Sequence, residues 1–286
     1  MDQLILAVEE CDFVNNPVCA PAEVTELFVF KPIFGEISRT PILMVFAAFV
    51  VIALVYFALR TPRAVPTKFG AAMESLIGVV RNDIAIGIIG PDGLKYFPYL
   101  LSLFMFILVG NLFGLTPLIN FPITSRMAIP LLLSVATYLI FLVVGIKKQG
   151  VGYFTHLAWP PGVPLAMKPL VGIIELVSVL AIRPFSLAVR LFANLVAGHT
   201  MLSLLLITGW VFTLNLFTNF GEIGVKGLAG PAWFIFGLGI YLFEMLVAVI
   251  QAYIFTLLSA VYIESSINVE HGDDHGSEHG AAAVAH

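Results

Sequence analysis

The order of apolar and polar positions divides the chain into long uncharged runs separated by polar connections. Residues 41–59, PILMVFAAFVVIALVYFAL, are 19 positions without a charge, enough to cross a hydrocarbon core of about 30 Å. Arg60 and Arg63 end that run. Residues 65–90 mix apolar positions with Lys68, Glu74, Arg81 and Asp83, which predicts an amphipathic helix on a membrane surface or against a partner. Residues 96–119 and 128–146 read as two further spans. Gly110 and Gly114 form GxxxG in the first of these, a signal for close helix packing. Residues 147–168 are rich in Pro, Gly and aromatics and read as an interfacial connection.

The last two apolar segments are too long for upright spans. Residues 169–207 number 39 and residues 231–263 number 33, where roughly 20 suffice. At helical rise they would measure about 58 and 50 Å. Each is therefore either broken or strongly tilted, since the usual tilt of about 20° does not absorb the excess. Pro184 is positioned to kink or curve the first. Residues 208–230 hold Gly209, Gly221, Gly224, Gly227 and Gly230 and read as a turn, with Pro231 in the first turn of the next helix. The expected fold is an all-α polytopic membrane protein. It has about three upright spans, one amphipathic surface helix and a hairpin of two long tilted helices, together covering residues 41–263.

Composition leads to the same class. Of 286 residues, 59% are hydrophobic and 11% charged, against about 25% charged in soluble domains, so the lipid bilayer is the solvent. Net charge is −4 and no basic patch suggests nucleic acid. Residues 1–40 form an extramembrane segment with no basic leader region. Its Cys11 and Cys19 are either a disulfide, if that end faces an oxidising compartment, or two free thiols. Residues 264–286 read as a disordered acidic, His-rich tail. Lys and Arg number two before the first span, then five, one, three and one in the successive connections. Alternate compartments thus hold eight against four, which favours the N-terminus outside and the C-terminus inside.

Ionisable side chains within the apolar segments carry the chemistry. The first long segment contains Glu175, Arg183, Arg190, Asn194 and His199, and the second contains Glu244 and Gln251. Such residues face a bundle interior, a water-filled cavity or a partner. Arg183 precedes Pro184 and could snorkel or pair with Glu175. Arg190 lies near the segment midpoint, and a guanidinium deep in hydrocarbon costs from about 3 to over 10 kcal/mol. At 100° per residue, Ser186, Arg190, Asn194, Ala197 and Met201 share one stripe, whereas His199 points to the opposite side. Gly237, Glu244, Ala248, Gln251 and Phe255 share a stripe on the second segment. Arginine keeps its proton, so Arg190 is a fixed charge, whereas His199 and Glu244 can exchange protons where water reaches them.

SLAVRLFANLVAGH (Ser186 to His199), FEMLVAVIQAYIFTLLSAVYI (Phe243 to Ile263) and GNLFGLTP (Gly110 to Pro117) resemble the subunit a family of the F-type ATP synthases. The resemblance covers most of residues 41–263. It implies the stator subunit of the proton-translocating membrane sector, in a bacterial plasma membrane. Implied partners are an oligomeric c-ring, peripheral-stalk b subunits and the remaining ATP synthase subunits. No cofactor or metal is implied. By resemblance, Arg190 faces the ring and separates two aqueous half-channels, with Asn194 and Gln251 beside it. His199 and Glu244 match the pair lining the outer half-channel, in which some members carry the acid first and the histidine second. Asn111 and Ser186 match further family positions, and Glu175 resembles a channel-lining acid with its spacing to Arg190 one residue off the pattern.

Two other classes are compatible with a cation in an apolar segment. A secondary transporter would use Arg190 to bind an anionic substrate, although the sequence holds no internal repeat. A haem-bearing redox subunit needs paired histidines, and only His199 lies in an apolar segment. The chain lacks a P-loop GxxxxGK[ST], so ATP chemistry would belong to other subunits.

Overall fold

The structure is a computed structural model that describes residues 39–59, 67–116, 127–150, 167–218 and 229–267. Cys11, Cys19, Pro117, most of the connection at 147–168, the glycines at 221, 224 and 227, and the tail beyond 267 lie outside them. The described residues are almost all helical, and there are no strands among them. In chain order the helices are α1 (Arg39–Leu59), α2 (Lys68–Gly78), α3 (Phe97–Leu115), α4 (Ala128–Gln149), α5 (Lys168–Val177), α6 (Arg183–Thr218) and α7 (Ala229–Ile267). Four helical stretches are long and apolar enough to cross a membrane: Phe97–Leu115, Ala128–Lys148, Lys168–Leu214 and Ala229–Ile267. Pro41–Phe57 is a shorter apolar helix.

Local chemistry explains the helix ends. Thr67 caps α2, its Oγ1 accepting from Gly70 N at 3.2 Å. Beyond Gly78 the helix continues as a π-helix, Val79–Ile86, and a last α-turn, Gly87–Ile89. Met73, Val80, Ile84 and Ile89 are buried while Glu74, Arg81, Asn82 and Asp83 are exposed, so this segment has one apolar face. Gly90, at φ 85°, turns the chain into the 3-10 segment Pro91–Lys95. Gly150, at φ 61°, closes α4 while its N–H reaches Ile146 O at 2.8 Å. Helix α3 ends at Leu115, two residues before Pro117, because the position preceding a proline is biased away from helical backbone.

Pro184 does not break the first long segment. The π-helical turn Ser178–Ile182 lies immediately upstream and absorbs the missing N–H and the clash with the preceding turn. Helical backbone therefore runs from Lys168 to Thr218, past the expected end at residue 207. The apolar part, Lys168–Leu214, has 47 residues and a helical rise of about 70 Å, more than twice a hydrocarbon core.

Gly209 is consequently not a turn glycine. It lies inside α6, where an added Cβ would sit 2.7 Å from Phe234 N. Gly230 likewise lies in α7, where a Cβ would meet Thr213 N at 2.6 Å. At the chain end, α7 continues to Ile267, and Ser266 is buried with its hydroxyl donating to Ile263 O at 2.9 Å. The residues at 264–267 are thus helical rather than part of a disordered tail. A Cβ at Gly110 would meet nothing within 4 Å. The GxxxG pattern is therefore not a close contact at that position.

The chain divides into two compact units. One takes in α1 up to Tyr56, α3 from Met105, α6 from Leu191 and α7 up to Ala252. Its interior includes Leu202, Leu205, Val211, Phe212, Ala248 and Ala252, with Phe46 stacked on Phe113 at 5.7 Å. The other holds α2, α4, α5 and the remaining parts of α1, α3, α6 and α7. There Tyr99 and Thr137 share a 2.7 Å hydrogen bond, and the Ser134 hydroxyl donates to Pro184 O. Outside the apolar helices, Asp92 pairs with Lys95 at 2.9 Å and lies 3.7 Å from Lys148. The hydrogen bond and charge of Lys95, aided by Lys148, hold the Asp92 carboxyl below the usual carboxylate range and raise Lys95 above its own.

A polar pocket between helices of one unit

Burial along α6 follows the helical period. Ser186, Arg190, Ala193, Ala197 and Met201 are exposed, whereas Leu187, Leu191, Gly198, His199, Leu202 and Leu205 are buried. On α7, Gly237, Ala248, Gln251 and Phe255 are buried and Glu244 is half-buried. Within the first unit the buried sides of α6 and α7 meet closely. A Cβ at Gly209 or Gly230 would strike backbone of the other helix, and one at Gly237 would lie 2.9 Å from Leu206 Cδ2. Facing positions move forward along α6 as they move back along α7, so the two helices are antiparallel and in register.

Further along this seam, at Gly198, the facing group is the Glu244 carboxylate. A Cβ on Gly198 would fall on both carboxylate oxygens, well inside the contact distance of about 3.5 Å. The end of the Glu244 side chain thus occupies the space beside Gly198 that a Cβ would take, and any larger residue there would have to push it aside. The same carboxylate lines a cavity of about 20 Å³ with Asn111, Gly114 and Leu115 of α3, Asn194, Leu195 and His199 of α6, and Ala248 of α7. That volume accepts a water molecule. Asn111 is 1% exposed, and its Nδ2 donates to Ala248 O at 3.5 Å.

One imidazole, one carboxylate and two amides thus surround a water-sized space. The first two exchange protons and the amides can donate to or accept from a water between them. None of the four carries an obligatory charge, which suits a site buried among apolar helices. Among the described residues there is no group of three or more His, Cys, Asp or Glu able to hold a metal ion.

Of the residues singled out in the sequence, the structure brings Asn111, Asn194, His199 and Glu244 to this pocket. Asn194, expected on the stripe opposite His199, instead lines the same cavity, because a side chain on the flank of the helix can reach it. Gln251, in the same unit, is 6% exposed and does not line it; its Nε2 has no hydrogen-bond partner among the described residues. Arg190, Ser186 and Glu175 belong to the other unit. Arg190 and Ser186 are exposed and Glu175 is half-buried. Among the described residues Arg190 makes no ion pair. The pairing of Arg183 with Glu175 is not found there either; Arg183 lies over the Tyr262 ring, 5.5 Å from its centroid. Gly114 stood out in the sequence only as half of GxxxG and Ala248 only as one position of the Glu244 stripe, while Gly198 did not stand out at all. Its one signal is small size beside a polar neighbour, in the run Ala197–Gly198–His199.

Residues 41–264 match the family model described as the ATP synthase A chain. The proteins named ATP synthase subunit a from Gluconacetobacter diazotrophicus and Frankia alni are 35% and 38% identical to this chain over 246 residues each. These alignments cover 84% and 83% of the chain, and 94% and 79% of the relatives. A third, from Rhodospirillum rubrum, is 36% identical over 252 residues, 85% of this chain and 98% of the relative. A polytopic helical architecture and a match over nearly the whole membrane region lead to one conclusion: this chain belongs to the ATP synthase A chain family.

Proposed function

We propose that this chain is the proton-translocating stator subunit of the membrane sector of an ATP synthase, working against an oligomeric c-ring and held by peripheral-stalk b subunits. The observation that carries the reading is the difference in exposure between Arg190 and His199 on α6. The first is exposed, and the second is buried in a pocket with a carboxylate and two amides. A fixed cation on an outward face suits a passing carboxylate, which it holds as the anion. The His199–Glu244 pocket suits a proton donor and acceptor fed through a water-filled half-channel.

In this reading a ring carboxylate nearing Arg190 releases its proton to the inner half-channel. It passes the cation as an anion, then takes a new proton from the outer half-channel by way of His199 and Glu244. Arg190 cannot relay that proton, since it stays charged at any physiological pH, so the two half-channels are not short-circuited. Asn111 and Asn194 hold the water between them, and Gln251 and Ser186 supply polar contacts nearer the ring. Glu175 extends the path to one side. The lysine and arginine distribution supports the N-terminus outside and the C-terminus in the cytoplasm.

The test is purification from native membranes in mild detergent. A small proteolipid ring and an ATP-hydrolysing head should come down with the chain. Recovery as a lone protein that carries an anionic substrate across vesicles would replace this reading with that of a transporter.

A further inference from the structure

The α6 helix carries two arginines on one face. Arg183 and Arg190 are seven residues apart, nearly two full turns, so their Cα atoms lie about 10 Å apart along the same side. A ring carboxylate moving past that face would meet two permanent cations, although one suffices to hold it ionised. The structure treats them differently. Arg190 is exposed, whereas Arg183 is half-buried with its guanidinium over the Tyr262 ring, 5.5 Å from the centroid.

Tyr262 is itself held in place. Its ring lies 6.2 Å from Phe141, which packs edge-on against Tyr138 at 4.9 Å. The Tyr262 carbonyl accepts the Ser265 hydroxyl at 3.0 Å and the Ser266 hydroxyl at 3.2 Å. The neighbouring turn of α6 is tied by the Ser134 hydroxyl, which donates to Pro184 O. The ring face that receives Arg183 is therefore built from three helices, α4, α6 and α7, within one unit. An aromatic face attracts a guanidinium most strongly where water is scarce.

We propose that Tyr262 is a positioning residue that commits the Arg183 cation to the protein interior, leaving Arg190 as the cation offered to the ring. This rests on the reading of Arg190 given above. Without the ring face, the three-carbon stem of Arg183 lets its guanidinium swing out along the Arg190 stripe. A second cation there would retain the ionised carboxylate and slow its passage. The interaction needs the aromatic face and not the phenolic hydroxyl, so phenylalanine should serve as well as tyrosine.

The experiment uses membrane vesicles carrying the whole complex, with proton-driven ATP synthesis measured per assembled complex. Tyr262→Phe should keep near wild-type synthesis and Tyr262→Leu should lose severalfold. The double variant Arg183→Gln/Tyr262→Leu should recover most of that loss, because the released charge is gone. A packing role alone predicts no recovery. Wild-type synthesis in Tyr262→Leu, or a double variant no better than Tyr262→Leu, overturns the proposal. Should Tyr262→Leu fail to assemble, Arg183→Gln alone decides. It should retain synthesis, and its inactivity would show that Arg183 does more than need restraint. Arg190→Ala, run alongside, separates the two levels: activity in that variant removes the underlying reading whatever the Tyr262 variants do.

Discussion

Replacing Gly198 with alanine adds a single methyl group where the Glu244 carboxylate now sits. The methyl cannot share that space, so the carboxylate must retreat by more than about 1 Å to regain a contact of about 3.5 Å. The helix itself gains, since alanine is favoured over glycine there by up to about 1 kcal/mol, and the chain should still reach the membrane. The cost falls on the pocket. A displacement of about 1 Å from productive geometry can slow a transfer step by as much as 10²-fold. Proton-driven ATP synthesis in vesicles, normalised to assembled complex, should therefore fall on the order of ten- to a hundredfold. Glu244→Asp in the same chain removes one methylene and draws the carboxylate back by about 1.5 Å. That displacement is similar, so it should lose synthesis to a similar extent, and the double variant should be no worse than the worse single change. Wild-type flux in Gly198→Ala, or a double variant in which the two losses multiply, would refute the argument from the Gly198 contact.

Other consequences can be checked separately. Exchanging the pair, His199→Glu with Glu244→His, should retain more synthesis than either single change; a double variant no better than the worse single one shows that they do not act together. Gly209→Ala should lower the melting temperature of the purified protein, by about 1–3 kcal/mol of stability. The new Cβ meets Phe234 N at 2.7 Å, and backbone cannot turn aside as a side chain can. An unchanged melting curve would count against the close seam. The Asp92–Lys95–Lys148 cluster stabilises the fold only while Asp92 is ionised and the lysines are charged. Asp92 is lowered in the folded state, so its contribution is present above the unfolded value of about 3.9 and is lost as pH falls through the lower folded value. Lys95 is raised, so its part is present below about 10.4 and lost as pH rises through the higher folded value. Asp92→Asn should thus lower thermal stability slightly at pH 7 and not at pH 2, and a shift that survives high salt would contradict an ionic origin.

Much of this was legible in the chain before the fold was known, for physical reasons. Lipid forces uncharged runs of a set length, so the apolar segments announce themselves. Helical geometry separates residues nine apart to opposite sides, and Arg190 and His199 differ in exposure, whereas Asn194, assigned to the Arg190 stripe, lines the pocket with His199. The register between α6 and α7 was not legible, because it depends on which residues of two distant segments meet. Gly209 and Gly230 look like turn glycines until each is found against the opposing backbone. Gly198 carries no signal until Glu244 is seen upon it. Arg183 invites pairing with Glu175 on its own segment, and the Tyr262 ring that receives it comes from far along the chain. The π-turn that lets helical structure pass Pro184 has no pattern of its own in sequence.

The central claim assigns α6 two separate duties, a fixed charge on one side and proton exchange on the other. The measurement that tests it most directly compares Arg190→Ala with Glu244→Gln in vesicles, following both proton-driven ATP synthesis and passive proton flow after the head is stripped. Arg190→Ala should abolish synthesis yet leave passive flow at or above the wild-type rate, because the barrier is gone and the path remains. Glu244→Gln should depress both. Coupled synthesis in Arg190→Ala, or undiminished passive flow in Glu244→Gln, would contradict the account.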